Sequence, residues 1–114
     1  MTLNELARKC HEDAKSLGWY DEGKTKSDVE NLMMVVTELA EAVEEIRNEK
    51  PAFYYHPTDD REIKKPEGIA VEIADAIIRL LDMSAYKGYD IETVIKEKLA
   101  FNLTRGYRHG GKKV

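Results

Sequence analysis

EGIAVEIADAIIRLLDMSAY, residues 67–86, decides the fold. Apolar side chains recur there at helical spacing and cover most of the circumference, with Ile69, Ile73, Ile77 and Leu80 on one arc and Val71 and Ile78 well away from it. A helix apolar nearly all round belongs in an interior. Yet a polar strip of Glu72, Asp75, Arg79 and Asp82 runs along it. The strip is therefore predicted to be interior or at an interface, where carboxylates need partners. Pro66 suits the first helical position, and Lys87 and Gly88 close the segment.

Upstream, Ser27 and Glu30 have the spacing of a capping box, and Leu32, Val35, Val36, Leu39, Val43 and Ile46 then recur at helical intervals as far as Asn48 and Pro51. Thr2 and Glu5 repeat the capping signature and predict a first helix running to about Leu17, before Gly18. Between the second and third helices lies PAFYYHPTDDREIKKP, residues 51–66, whose three prolines and lack of a period predict a long, flexible loop. Asp90 can cap a fourth helix through IETVIKEKLAFNLTRGY, and RHGGKKV has the glycines and charge of a basic tail, at about residues 106–114. No strand pattern and no internal repeat occurs. The expectation is an all-α, four-to-five-helix single domain over residues 1–114.

With 114 residues, 42% hydrophobic and 35% charged, the chain belongs with folded, water-soluble proteins. A domain this short buries only about two thirds of its unfolded surface, which favours self-association of uncovered helix faces. Cys10 is the single cysteine, which excludes an internal disulfide framework and a Cys-rich zinc site and fits a reducing cytoplasm. Neither a leader pattern at MTLNELARKC nor an apolar run of membrane-spanning length is present, so neither export nor membrane insertion is expected. The net charge of −4 is uneven: residues 96–114 carry six Lys/Arg against Glu97 alone, leaving +5 at that end and −9 in the remainder. An acidic body with a basic end fits a division between metal and phosphate, although a solvated tail has the same composition.

The chemistry concentrates in two acidic pairs at i, i+3: ELAE, carrying Glu38 and Glu41, and EIAD, carrying Glu72 and Asp75. Side by side, their helices would bring four carboxylates together, which would repel and take up protons unless cations intervene. An all-oxygen set without His or Cys favours Mg²⁺ or Mn²⁺. Surface glutamates, or carboxylates neutralised by Arg79 and other basic groups, would give the same pattern. On the last helix Lys98, Asn102 and Arg105 stand at i, i+4 and i+7, aligning two cations and an amide on one face. Cations there would neutralise an oligophosphate and the amide would bond a sugar or base; an exposed, solvated helix face is the plainer reading. Trp19, with Tyr20 beside it in LGWYDE, could stack on a base or close a small helical core. His109 in RHGGKK could touch phosphate or simply be solvated.

ELAE, then EIAD across a loop, then KLAFNLTRGYRHGGK with Lys98 and Asn102, together resemble the MazG-like all-alpha nucleoside triphosphate pyrophosphohydrolases, related to dimeric dUTPases and dCTP pyrophosphatases. The resemblance covers roughly residues 27–113. ExxE alone carries almost no information; the ordered set on successive helices is fairly specific. It implies a MazG-like bundle that is an obligate homo-oligomer, a tetramer or a compact dimer, and a metal-dependent hydrolysis of a nucleoside triphosphate to the monophosphate and pyrophosphate. It further implies that Glu38, Glu41, Glu72 and Asp75 bind Mg²⁺, that Glu38 orients or deprotonates the attacking water, and that Lys98, Asn102 and Arg105 contact phosphate or nucleoside. Thr37 and Val71 stand where a doubled acid often begins each motif, and the 30 residues between Glu41 and Glu72 are at the long end for the family.

A ferritin-like di-iron bundle needs Glu-x-x-His on two helices, and none of His11, His56 and His109 follows a glutamate by three residues. A non-catalytic helical module, oligomerising through its apolar faces and touching nucleic acid with its basic tail, remains the alternative. The enzyme reading requires no nucleic-acid partner and no membrane.

Overall fold

The computed structural model describes residues 1–111 and 113, except for the side chain of His109. The phosphate contact considered for His109, and Lys112 and Val114 of the tail, fall outside the described residues. Helices α1 (Leu3–Ser16), α2 (Asp28–Arg47), α3 (Ile69–Tyr86) and α4 (Ile91–Thr104) follow one another, and a single turn, α5 (Arg108–Gly111), comes after them. The described residues contain no strand, only an isolated antiparallel bridge between Tyr54 and Glu67. No described helix is long and apolar enough to cross a membrane.

Both capping boxes form. Glu5 N donates to Thr2 Oγ1 at 3.1 Å while Thr2 N donates to Glu5 Oε1. At α2, Glu30 N donates to Ser27 Oγ and Ser27 N to Glu30 Oε1, both at 3.1 Å. Each box satisfies two donors that a helix start would otherwise leave open. Asp90 caps α4, accepting from Thr93 N at 3.2 Å.

The start of α3 differs from expectation. Pro66 is not its first residue: the helix begins at Ile69, with Gly68 as its cap. Glu67 is drawn into the bridge instead, exchanging two backbone hydrogen bonds of 2.9 Å with Tyr54. Gly68 takes φ 117°, and a Cβ there would lie 2.7 Å from the Ala52 carbonyl carbon. Ala70 N donates to Ala52 O at 3.0 Å, so the loop's first turn seals against the helix start. Further along the loop, the Asp59 carboxylate accepts from the backbone N–H groups of Arg61 and Lys65 and forms a two-point pair with the Arg61 guanidinium, at 2.9 and 2.7 Å. That side chain is almost wholly enclosed, and its pKa is held well below the usual carboxylate range, first by Arg61 and then by the backbone donors.

α3 packs against both α1 and α2, and α4 meets α1. The α1–α4 contact is polar at its edge, where Leu3 N donates to Glu92 Oε1 and Asn4 bridges Asp90 and Glu92 N. Ala7, Cys10 and Leu81 form the buried cluster, with Leu3, Ala85 and Ile91 packed around it. The burial predicted for α3 is incomplete, because Ile73, Ile77, Ile78 and Leu80 are each more than 40% exposed. α1 and α2 cover two of its sides, and among the described residues no third layer covers the rest. The radius of gyration is 17.3 Å, whereas a compact domain of this length reaches about 13 Å.

Candidate metal centre and its cleft

The side-by-side packing of α2 and α3 brings the two acidic pairs together. Glu38 on α2 and Glu72 and Asp75 on α3 each offer a carboxylate oxygen, all within 4.8 Å of one another. That limit is close to the roughly 4.2 Å separating opposite ligands of an octahedral magnesium ion. Glu38 is buried, Glu72 and Asp75 are half-buried, and Glu41 reaches the cluster from the exposed side of α2. The spacing that sets this up is local: residues three apart share a helix face.

The electrostatics record the crowding. Burial raises the Glu72 carboxyl first, then a hydrogen bond and charge from Glu41, then Glu38 and Asp75, so that its pKa is pushed up to about 7. Its Oε2 is shielded from solvent and has no hydrogen-bond partner among the described residues. Asp75 is raised as well, by burial and by the charge of Glu38, with Arg79 and Lys65 opposing. Glu38 has one counter-ion, for Arg79 Nε donates to its Oε1 at 2.9 Å. Neutralisation by Arg79 is thus real for one carboxylate, while Glu72 is left facing acceptors. All-oxygen donors, partial burial and an orphaned oxygen fit a hard divalent cation.

Glu38, Asp75 and Arg79 also form one wall of a cleft of about 530 Å³, whose other parts include Asp82, Tyr20, Trp19, Lys26, Lys9 and Asn31. Trp19 is exposed at its rim with Lys26 Nζ 4.8 Å from the ring centroid. Asp82 Oδ1 accepts from the Tyr20 hydroxyl at 2.8 Å and lies 2.9 Å from His11 Nδ1. Burial, then the bond to Asp82, raises the Tyr20 hydroxyl far above the ordinary tyrosine range. Compared with protein-family models, curated proteins and solved structures, the chain gives no match. Its chemistry rests on this geometry alone.

Of the sequence candidates, Glu38, Glu41, Glu72 and Asp75 converge, and Trp19 lines the cleft with Glu38 and Asp75. Lys98, Asn102 and Arg105 do not line it. Lys98 is exposed, its Nζ 5.1 Å from the Phe101 ring centroid, and Arg105 is exposed at the end of α4. Asn102 is half-buried, and its Oδ1 is shielded without a hydrogen-bond partner among the described residues. Arg79 and Asp82 carried a signal in sequence, being the continuation of the α3 polar strip. His11 carried none, since its contact with Asp82 spans 71 residues. Glu44 pairs with Arg47, and Glu45 accepts from the Tyr54 hydroxyl at 3.3 Å, both outside the cluster.

Proposed function

We propose that this protein is a divalent-metal-dependent nucleoside triphosphate pyrophosphohydrolase, converting an NTP or dNTP to the monophosphate and pyrophosphate. The observation that carries the reading is the convergence of Glu38, Glu72 and Asp75 within 4.8 Å, beside a nucleotide-sized cleft that Glu38 and Asp75 line. Glu41 completes the carboxylate set that would hold Mg²⁺ or Mn²⁺. When bound, such an ion supplies Lewis acidity toward the phosphates and toward water. The chain's own residues do the rest. Glu38, its orientation restricted by burial, is the group best placed to orient a water and accept its proton. Arg79, Lys9 and Lys26 line the cleft and oppose phosphate charge, and the Trp19 ring offers a face for a base.

Lys98, Asn102 and Arg105 enter through assembly. Val94, Leu99, Phe101 and Leu103 leave α4 with an exposed apolar surface, and in a homo-oligomer, dimer or tetramer, α4 would meet a second copy. Its cations would then face substrate there, and Lys98→Ala is expected to weaken nucleotide binding; an unchanged KM and kcat would remove Lys98 from the site.

Glu38→Gln and Asp75→Asn, purified and assayed with Mg²⁺ and a panel of nucleoside triphosphates, are expected to lose hydrolysis while keeping wild-type helix content by circular dichroism. Wild-type turnover in either variant contradicts the assignment. Salt-sensitive nucleic-acid binding without pyrophosphate release would instead favour the non-catalytic interaction module.

A further inference from the structure

Arg79 stands where two kinds of charge meet. It follows Asp75 by one turn of α3, and its Nε donates to Glu38 Oε1 at 2.9 Å. The Glu38 side chain is 10% exposed, whereas that of Arg79 is 40% exposed. Among the described residues no other Lys or Arg forms an ion pair with Glu38, Glu41, Glu72 or Asp75. Nor does any hydrogen bond there engage Arg79 Nη1 or Nη2, so the fork of the guanidinium is open on the side of the cleft it lines.

Building on the pyrophosphohydrolase reading, we propose that Arg79 is an exchangeable counter-ion, holding Glu38 until a divalent cation binds and then pairing with the substrate's phosphate. The guanidinium and the cation compete for the same carboxylate, and the ion brings twice the charge. Arg79 released from Glu38 is left in a cleft lined also by Asp75 and Asp82, within a side chain's reach of whatever phosphate the ion holds. Planar guanidinium donors match two phosphate oxygens at once. Arg79 is then a positioning residue before substrate arrives and a binding residue afterwards. A purely structural ion pair would instead stay closed when metal binds, and removing Arg79 would leave Glu38 buried and uncompensated and loosen the α2–α3 seam without weakening the hold on phosphate.

The test uses full-length wild type, Arg79→Met and Arg79→Lys, titrated calorimetrically first with Mn²⁺ alone and then, at saturating Mn²⁺, with an α,β-imido nucleoside triphosphate. Arg79→Met is expected to bind Mn²⁺ roughly fivefold tighter than wild type, the scale of a partly exposed ion pair. Its affinity for the nucleotide is expected to fall roughly tenfold, the scale of a charge-assisted hydrogen bond. Arg79→Lys falls between the two on both titrations. Wild-type protein gives a second readout that no folding defect can obscure: the protected Arg79 Hε resonance of the metal-free state should be lost in saturating Mg²⁺. Arg79→Met binding Mn²⁺ no tighter than wild type, or an Hε resonance indifferent to Mg²⁺, overturns the exchange. Wild type that binds no Mn²⁺ overturns the metal centre itself, so the two failures are distinguishable.

Discussion

Glu72 shows how much a single side chain reports about this site. Its pKa, pushed up to about 7 by burial and by Glu41 beside it, exceeds the ordinary value that the unfolded chain provides. Proton binding therefore favours the folded state: the contribution is fully present below about pH 4.5 and is lost as pH rises through about 7. The carboxylates held below their usual range, Asp59, Glu30 and Asp90, are already ionised across that window and do not oppose the trend. A divalent cation competes with the proton for the same oxygens. In EDTA the melting temperature is expected to fall between pH 5 and pH 8, and Mg²⁺ is expected to restore it at pH 8 but hardly at pH 5. Glu72→Gln should flatten both effects. Equal stabilisation by Mg²⁺ at the two pH values, or none at either, would contradict a carboxylate cation site. The four acids were legible in sequence because each pair is set by three-residue spacing on one helix. The Glu38–Arg79 bond and the His11–Asp82–Tyr20 contacts were not, because they join residues from 41 to 71 positions apart.

At the scale of elements, local chemistry governs the helix starts and long-range pairing shifts one of them. Thr2, Ser27 and Asp90 satisfy donors within three residues, which is why their helices begin where the sequence places them. α3 starts later than Pro66 implies because Glu67 pairs with Tyr54 and Gly68 passes close against Ala52. This junction sets the register of Glu72 and Asp75 against α2. Gly68→Ala forces a side chain into a positive φ and against the Ala52 carbonyl, and is expected to cost roughly 2–4 kcal/mol by denaturant titration. A loss well under 1 kcal/mol would mean that the junction yields easily and does not position the site. The same variant should weaken Mn²⁺ binding, since the first turn of α3 carries Glu72.

For the whole molecule, what stands out is how little one chain covers. Among the described residues no large side chain is fully buried, and Leu39, Val43, Ile77, Leu99 and Phe101 are among many apolar residues left near or above half exposed. The all-α architecture followed from periodicity, but the burial of α3 did not, because periodicity says that a face is apolar without saying which chain covers it. A second copy is the occupant our account assigns to these faces. Sedimentation at micromolar concentration is expected to give a dimer or tetramer, and Leu99→Glu with Phe101→Glu to shift it toward monomer; a monomeric wild type would remove Lys98, Asn102 and Arg105 from any shared site.

The most direct test of the metal-centre and hydrolysis account is product analysis of wild-type protein. A panel of ribo- and deoxyribonucleoside triphosphates, incubated with and without Mg²⁺, is resolved by ion-exchange chromatography. Our account predicts monophosphate and pyrophosphate in equal amounts, no accumulation of diphosphate, and no turnover in EDTA. Intact triphosphates throughout, diphosphate with free phosphate, or turnover that persists in EDTA would contradict it.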